Sequence, residues 1–410
     1  MIVTIFIFVG FMTDNGDNME VELKKSTHTA EVVPVNLTKI PDSDFLSSCK
    51  VADYVCVCRT EDWAGRDKGV YLCPDTLVNT IRPEFSFLMS DAKYDENSIK
   101  GGTWARIKAK RFRGTQSYGL LVPCPDGFKF GDDLWDHLEL RRYEPELAEQ
   151  VQSKDKFPSI GGNETASAPS QFYPKYDLDA FLKYGREAFQ EGEPTFITLK
   201  VNGENARFVY SDGEFHIASH YLWKKEYGSR PNTEAVIQNI REYLTKKEVS
   251  PDIIGVRVRE VSAKLDKWTP KQNHFWALLR QNEELQKFLV DNPGVMVVAE
   301  RYGHVKKYPY NCNPGQVKYA AFDLYKDGKY LNPLEARDLG KNLKWVPILH
   351  EAFPFNVEKI KEIAETLNQN PIWNVKGIDE GIVLEPLVVR YHDRIGRVKF
   401  KLTTPEYHNS

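Results

Sequence analysis

Five charged residues stand in or beside stretches of this chain that otherwise read as apolar strands. Lys200 closes TFITLK (195–200), Glu300 closes VMVVAE (295–300) and Glu380 opens EGIVLE (380–385). Lys399 and Lys401 lie two apart in GRVKFKL (396–402). Successive side chains of a strand point to opposite faces, so these two lysines share one. A charge buried in such a strand is costly unless it is paired. Each residue alone is ordinarily a salt bridge or a solvated face. Two lysines and two glutamates, all following Lys200, point instead to one cleft lined by both signs of charge. Other chemistries find no support: the chain has no G-x-x-x-x-G-K-[ST] or G-x-G-x-x-G loop and no His/Cys cluster with metal spacing. Its scattered Ser, His and Asp residues do not argue a triad.

A second charged stretch is GGTWARIKAKRFRGTQSYG (101–119). Read as one strand, it puts Arg106, Lys108 and Lys110 on one face and Arg111 and Arg113 on the other. Trp104, Phe112 and Tyr118 interleave. Basic residues with aromatics suit a nucleic-acid surface; a solvated edge strand guarded by lysine is the equal alternative. The whole chain gives no general attraction to nucleic acid, because 55 Lys+Arg against 58 Asp+Glu leave a net charge of -3.

The elements that must hold these residues fall into two regions. Residues 26–150 read as mainly β, with short apolar runs (DYVCVC, GVYLC, YGLLVPC) between turn clusters, as in a small barrel. Residues 151–172 read as a Ser/Gly/Pro-rich linker. Residues 173–410 mix helices (near 177–190, 233–247, 271–290 and 356–368) with strands (near 294–300, 317–325, 380–385 and 396–402). The class is α+β. TFITLK, Asn202–Gly203 and Ala206–Tyr210 read as a hairpin, with Lys200 at its lip. The first 25 residues form an extension whose MIVTIFIFVGFM is too short to span a bilayer. Six cysteines without zinc spacing read as reduced core thiols, so a reducing, cytoplasmic or nuclear compartment is expected, and no membrane.

Taken in order, these stretches resemble the covalent nucleotidyltransferases. KVNGENARF (200–208) resembles motif I, VVAERYG (297–303) motif III, YAAFDLY (319–325) motif IIIa, EGIVLEP (380–386) motif IV and VKFKLTTPEY (398–407) motif V. Order and spacing resemble the ATP-dependent RNA ligase branch. YGLLVPCPDGFKFGDDLWDHLELRRYEPE (118–146) is similar to the N-terminal OB domain of one subgroup. DNA ligases and capping enzymes carry an OB domain after motif V, where this sequence has nine residues beyond Lys401.

The resemblance implies an N-terminal OB-like barrel that binds RNA and a C-terminal nucleotidyltransferase domain. It implies ATP with Mg2+ or Mn2+, RNA carrying 3′-OH and 5′-phosphate ends as partner, and a monomer. Lys200 would be the nucleophile that becomes lysyl-AMP. Lys399, Lys401 and a divalent metal would lower its pKa from about 10.4 and steady phosphate charge. Gly203 would give the backbone room beside the nucleotide, and Asn205 would hold a phosphate or RNA end. His220 would stand in the next motif, Glu300 would bind ribose, Phe322 would stack on adenine, and Glu380 would position metal or lysine. Three positions depart from the family pattern. Leu199 replaces a glutamate, His220 an arginine, and Glu385 a basic residue whose replacement would repel phosphates unless it turns away or pairs with a lysine. An RNA-end-binding homologue without activity and a capping-type guanylyltransferase are the alternatives.

Overall fold

The computed structural model describes residues 28–98, 100–144, 163–305, 309–369, 371–373 and 378–409. The expected extension 1–25 and most of the expected linker, 151–162, lie outside them. The first part holds three short antiparallel sheets. Ala30–Pro34, Lys68–Leu72 and Leu120–Pro123 form one, and Leu37–Lys39, Leu46–Val51 and Tyr54–Arg59 another. Arg141–Arg142, Thr76–Asn79, Lys100–Arg106 and Ala92–Tyr94 form the third. Val32, Val70, Leu72, Val78, Phe85 and Leu134 form the core between the first and third sheets, while Cys49, Tyr54 and Cys56 of the second sheet pack in the same cluster as Phe181 and Tyr184 of the second part. All six thiols are free, and Cys49, Cys56, Cys73 and Cys312 are buried.

The basic stretch is not one strand. Lys100–Arg106 ends where Ile107 turns into the core, and Lys110–Phe112 then pairs with Thr115–Ser117. Their turn uses Arg113 (φ 47°) and Gly114 (φ 81°), the left-handed pair that suits the twist of a hairpin. The five basic residues therefore split into two groups.

The second part has two sheets. One has seven strands, centred on Glu204–Ser211, Met296–Gly303 and Val317–Lys326. The other runs in the order Asp179–Ala180, Phe400–Thr403, Gly381–Pro386, Pro194–Lys200, Ile348–Pro354. Helices His274–Arg280 and Glu283–Asp291 cover the outer face of the first with Phe275, Trp276, Leu279 and Leu285. Phe181–Ala188 and Val357–Thr366 cover the second. Thr233–Lys246 and Pro251–Asp266 make a helix pair with its own apolar contacts, Ile240 against Val258 and Leu265 among them. No helix among the described residues is long and apolar enough to cross a membrane. The end of the expected linker is built in, because Asn163–Thr165 pairs with Trp223–Ser229.

The expected hairpin at Asn202–Gly203 does not form. Pro194–Lys200 belongs to the five-stranded sheet and Glu204–Ser211 to the seven-stranded one, so the chain crosses between sheets there. Neither Asn202 nor Gly203 has the positive φ of a tight hairpin turn. Gly203 is required for another reason: a Cβ there would lie 2.2 Å from the Arg301 carbonyl oxygen. The close approach in the structure is to the neighbouring strand.

Asp53 joins the two parts. Its side chain, 3% exposed, accepts from Arg186 Nε at 2.7 Å and Lys361 Nζ at 3.0 Å, and its backbone N–H donates to the Leu182 carbonyl at 2.9 Å. Burial works against the carboxylate, but the hydrogen bonds from Lys361 and Arg186 outweigh it and hold the pKa below the ordinary 3.8. A depressed folded-state pKa stabilises the protein above the unfolded value and loses that stabilisation as pH falls through the folded one. Asp53→Asn, which leaves two cations facing a neutral amide, is expected to cost about 3 kcal/mol at pH 7. Urea unfolding checks this, and the difference between variant and wild type should shrink below pH 4.

Candidate active site

The crossing between sheets puts Lys200 at the mouth of the cleft that separates them. Period-two alternation sends Ile197 and Leu199 into the core behind the strand and Thr198 and Lys200 toward the other sheet. Register places Thr198 opposite Val383, and Val383 opposite Lys401, on that inner face. On the facing sheet Asn205 pairs with Glu300. These residues, with Tyr176, His220 and Phe322, line a cavity of about 160 Å³. Phe322 lies against Tyr176, ring centroids 4.9 Å apart. Asn205 Oδ1 and the Tyr176 hydroxyl are buried and have no hydrogen-bond partner among the described residues. Such groups are costly unless a ligand satisfies them. The orphan on Asn205 is an acceptor, which suits a hydroxyl donor better than a phosphate.

Lys200 Nζ lies 2.7 Å from Glu380 Oε1. Glu380, 6% exposed, also accepts from Asn202 Nδ2 through Oε2 at 3.2 Å. Burial would push the Lys200 ammonium down, but Glu380 and then Glu300 outweigh it, so its pKa lies above the ordinary 10.5. Among the protein's own groups the carboxylates thus dominate the amine, and Lys399 and Lys401 alone do not lower it. The charges nearest the amine are carboxylates, and Lys399 is neutralised elsewhere.

A larger cavity of about 570 Å³ opens from the same lysine, between the two parts of the chain. Lys200 and Lys401 line both cavities. Arg106, Lys108, Arg142 and Lys183 complete the basic lining of the larger one, against Asp75, Asp179 and Glu380. Six cations facing three carboxylates favour a polyanion. Arg106 is held by Asp75 at 2.6 Å and lies 3.9 Å over the Tyr143 ring. Lys110, paired with Asp91 at 2.9 Å, and Arg111 and Arg113 are exposed on the separate hairpin instead. Arg142 and Lys183 gave no sequence signal, since neither lies in an unusual pattern. The described residues contain no group of three or more His, Cys, Asp or Glu able to hold a metal.

The RNA ligase family model matches residues 193–403, and an OB-fold domain model matches residues 30–124. The chain belongs to the RNA ligase family. Its N-terminal part is an OB-fold domain. Among solved structures, an apo mutant of Naegleria gruberi RNA ligase has a TM-score of 0.67 at 19% identity, covering 94% of this chain and 98% of that one. A mutant of that ligase with ATP and Mn gives 0.66 at 19%, covering 93% and 98%. Another, with AMP and Mn, gives 0.67 at 19% over the same shares. No curated protein matches this chain.

Against the ligase pattern, the three departures resolve differently. Leu199, 1% exposed, packs in the core behind the strand. His220 lines the smaller cavity. Burial, with Arg207, Arg142 and Lys175, outweighs Asp177 and lowers its pKa, so the ring is neutral at pH 7. Glu385 turns into a buried ion cluster, accepting from Lys399 at 2.8 Å and Arg397 at 2.8 Å. Asp323 completes it, 2.8 Å from Lys399 and 2.6 Å from Arg397. Burial opposes the Asp323 charge, but Arg397 and Lys399 outweigh it and depress its pKa. The expected strand over 396–402 is broken at Val398 and Lys399, so Lys399 stands just before the strand Phe400–Thr403 that carries Lys401; its head lies under Phe322, 5.9 Å from the ring centroid, outside both cavity linings. Sequence reading missed Asp323 and Arg397, although both sit inside quoted strands, because a partner is invisible until the sheets are stacked. Glu385→Lys, which restores the family's basic residue, places a third cation among Arg397 and Lys399 with one carboxylate left. It should lower unfolding stability by about 3–5 kcal/mol in urea melts; a variant as stable as wild type contradicts the cluster's role.

Proposed function

We propose that this chain is an ATP-dependent RNA ligase that joins 3′-OH and 5′-phosphate ends through lysyl-AMP and RNA-adenylate intermediates. The observation that carries the reading is Lys200 at the junction of two cavities, one apolar with orphaned polar groups, the other basic. The smaller takes the adenosine, with Phe322 against the base and Glu300 and Asn205 at the ribose. The larger takes the phosphates and then the RNA end, with Lys401 beside the amine. Arg106 and Lys108 line its wall, and Lys110, Arg111 and Arg113 extend the basic path over the outer hairpin.

Lys200 Nζ attacks the α-phosphorus and pyrophosphate leaves. The RNA 5′-phosphate then takes the adenylate, and the 3′-hydroxyl displaces AMP. Covalent catalysis divides one hard displacement into easier ones. Lys200 must first surrender a proton, and Glu380, already hydrogen-bonded to it, is the acceptor in place. Glu380 would help hold the Mg2+ or Mn2+ that accompanies the nucleotide, and the ion would neutralise phosphate charge. The six free thiols suit a reducing compartment such as the cytoplasm.

Incubation with α-labelled ATP and Mn2+, then denaturation, should leave label on wild type and none on Lys200→Ala. Adding 5′-phosphorylated RNA should discharge that label, more slowly when Arg111 and Arg113 are both alanine. Salt-sensitive RNA binding without any label would instead identify an RNA-end binder, and label from GTP alone a guanylyltransferase.

A further inference from the structure

The last described residues reach back into the site. Pro405–Asn409 is a short helical turn that follows the strand carrying Lys401. Thr404, fully buried, ties its start to the Glu380 backbone: the Thr404 N–H donates to the Glu380 carbonyl at 2.9 Å. Thr404 Oγ1 in turn accepts from the Tyr407 N–H at 3.2 Å. This turn carries Tyr407 into the wall of the larger cavity.

Tyr407 meets the lysine site through one amide. Asn202 Nδ2 has two hydrogens. It donates to the Tyr407 hydroxyl at 2.6 Å and to Glu380 Oε2 at 3.2 Å. The Asn202 backbone N–H is fixed as well, donating to the Tyr310 hydroxyl at 2.6 Å. Glu380 is thus held at both oxygens, Oε2 by Asn202 and Oε1 by Lys200 at 2.7 Å. Two fixed points set the plane of a carboxylate, whereas one lets it swing. Without the phenol oxygen, the Asn202 amide could rotate, and Glu380 would lose its second anchor. The same turn packs against Lys110–Phe112 of the N-terminal domain, so the tail touches both halves of the molecule.

We propose that Tyr407 is a positioning residue for lysine adenylylation, acting through Asn202 and Glu380 on the direction of the Lys200 amine. The proposal rests on the ligase reading and adds to it a residue outside the strands that carry the catalytic lysines. Tyr407 touches the larger cavity only, so it acts on the reacting geometry and leaves the adenosine pocket alone.

The test is the rate of adduct formation with labelled ATP in single-turnover reactions, on wild type and Tyr407→Phe, over a range of ATP concentrations. Loss of one orienting hydrogen bond should slow adduct formation about tenfold at saturating ATP. Half-saturating ATP and the thermal unfolding midpoint should stay at the wild-type values. Asn202→Ala should be slow as well, and the double variant no slower than Asn202→Ala alone, because the two act in one chain of contacts. A Tyr407→Phe rate equal to wild type, a loss confined to half-saturating ATP, or fully multiplicative effects in the double variant would overturn the proposal while leaving the ligase reading intact. No label on wild type would overturn both.

Discussion

One lysine charge, held where the chain steps from one sheet to the other, is the constraint around which this molecule is arranged. Lys200 is the last residue of a mostly buried strand, and four residues later the chain is in a different sheet. The crossing opens the cleft, and Gly203 lets the departing strand lie directly against the Arg301 backbone. Glu380 balances the amine from the neighbouring strand. An ammonium this enclosed would be costly without a carboxylate partner. With one, it rests charged and held in place. The outer helices, the aromatic packing of Tyr176 against Phe322 and the N-terminal domain all serve to keep the two walls apart and aligned.

The sheet solves a second charge problem in the same way. Glu385 stands where the family places a basic residue, and Lys399, just before the adjoining strand, gives its head group to it. Arg397 and Asp323 close the cluster, giving two cations and two carboxylates. The cluster lies beneath Phe322, where it supports the ring. It leaves Lys401 as the member of the lysine pair that faces both cavities. The site therefore carries less positive charge near Lys200 than the family pattern suggests, and Arg106, Lys108 and Arg142 of the N-terminal domain add positive charge at the larger cavity.

What the sequence made legible were charges in apolar strands. Lys200, Glu300, Glu380 and Lys401 stand out because alternation predicts which face they take, and a charge on an inner face needs a reason. Pairing was not legible. Nothing in GRVKFKL says that Lys399 will meet Asp323, 76 residues earlier. The Asn202–Gly203 turn misled because a local hairpin signal and a crossing between sheets share the same residues; only the packing behind each strand decides. The basic stretch misled because its unbroken charge alternation hides the Arg113–Gly114 turn, which folds Lys110–Phe112 back on Thr115–Ser117 as a separate hairpin. Helix Pro251–Asp266 escaped because Ile253, Ile254, Val256 and Val258 around Gly255 suit a strand as well as a helix, although its leading proline is a sound start signal.

A crystal structure of the wild-type protein grown with ATP and Mn2+ tests the central claim most directly. The account predicts density continuous from Lys200 Nζ to an AMP whose base lies against Phe322 and whose phosphate faces Lys401. A nucleotide bound outside the smaller cavity, or one seated there while Lys200 stays on Glu380 and turned from the α-phosphate, would contradict it.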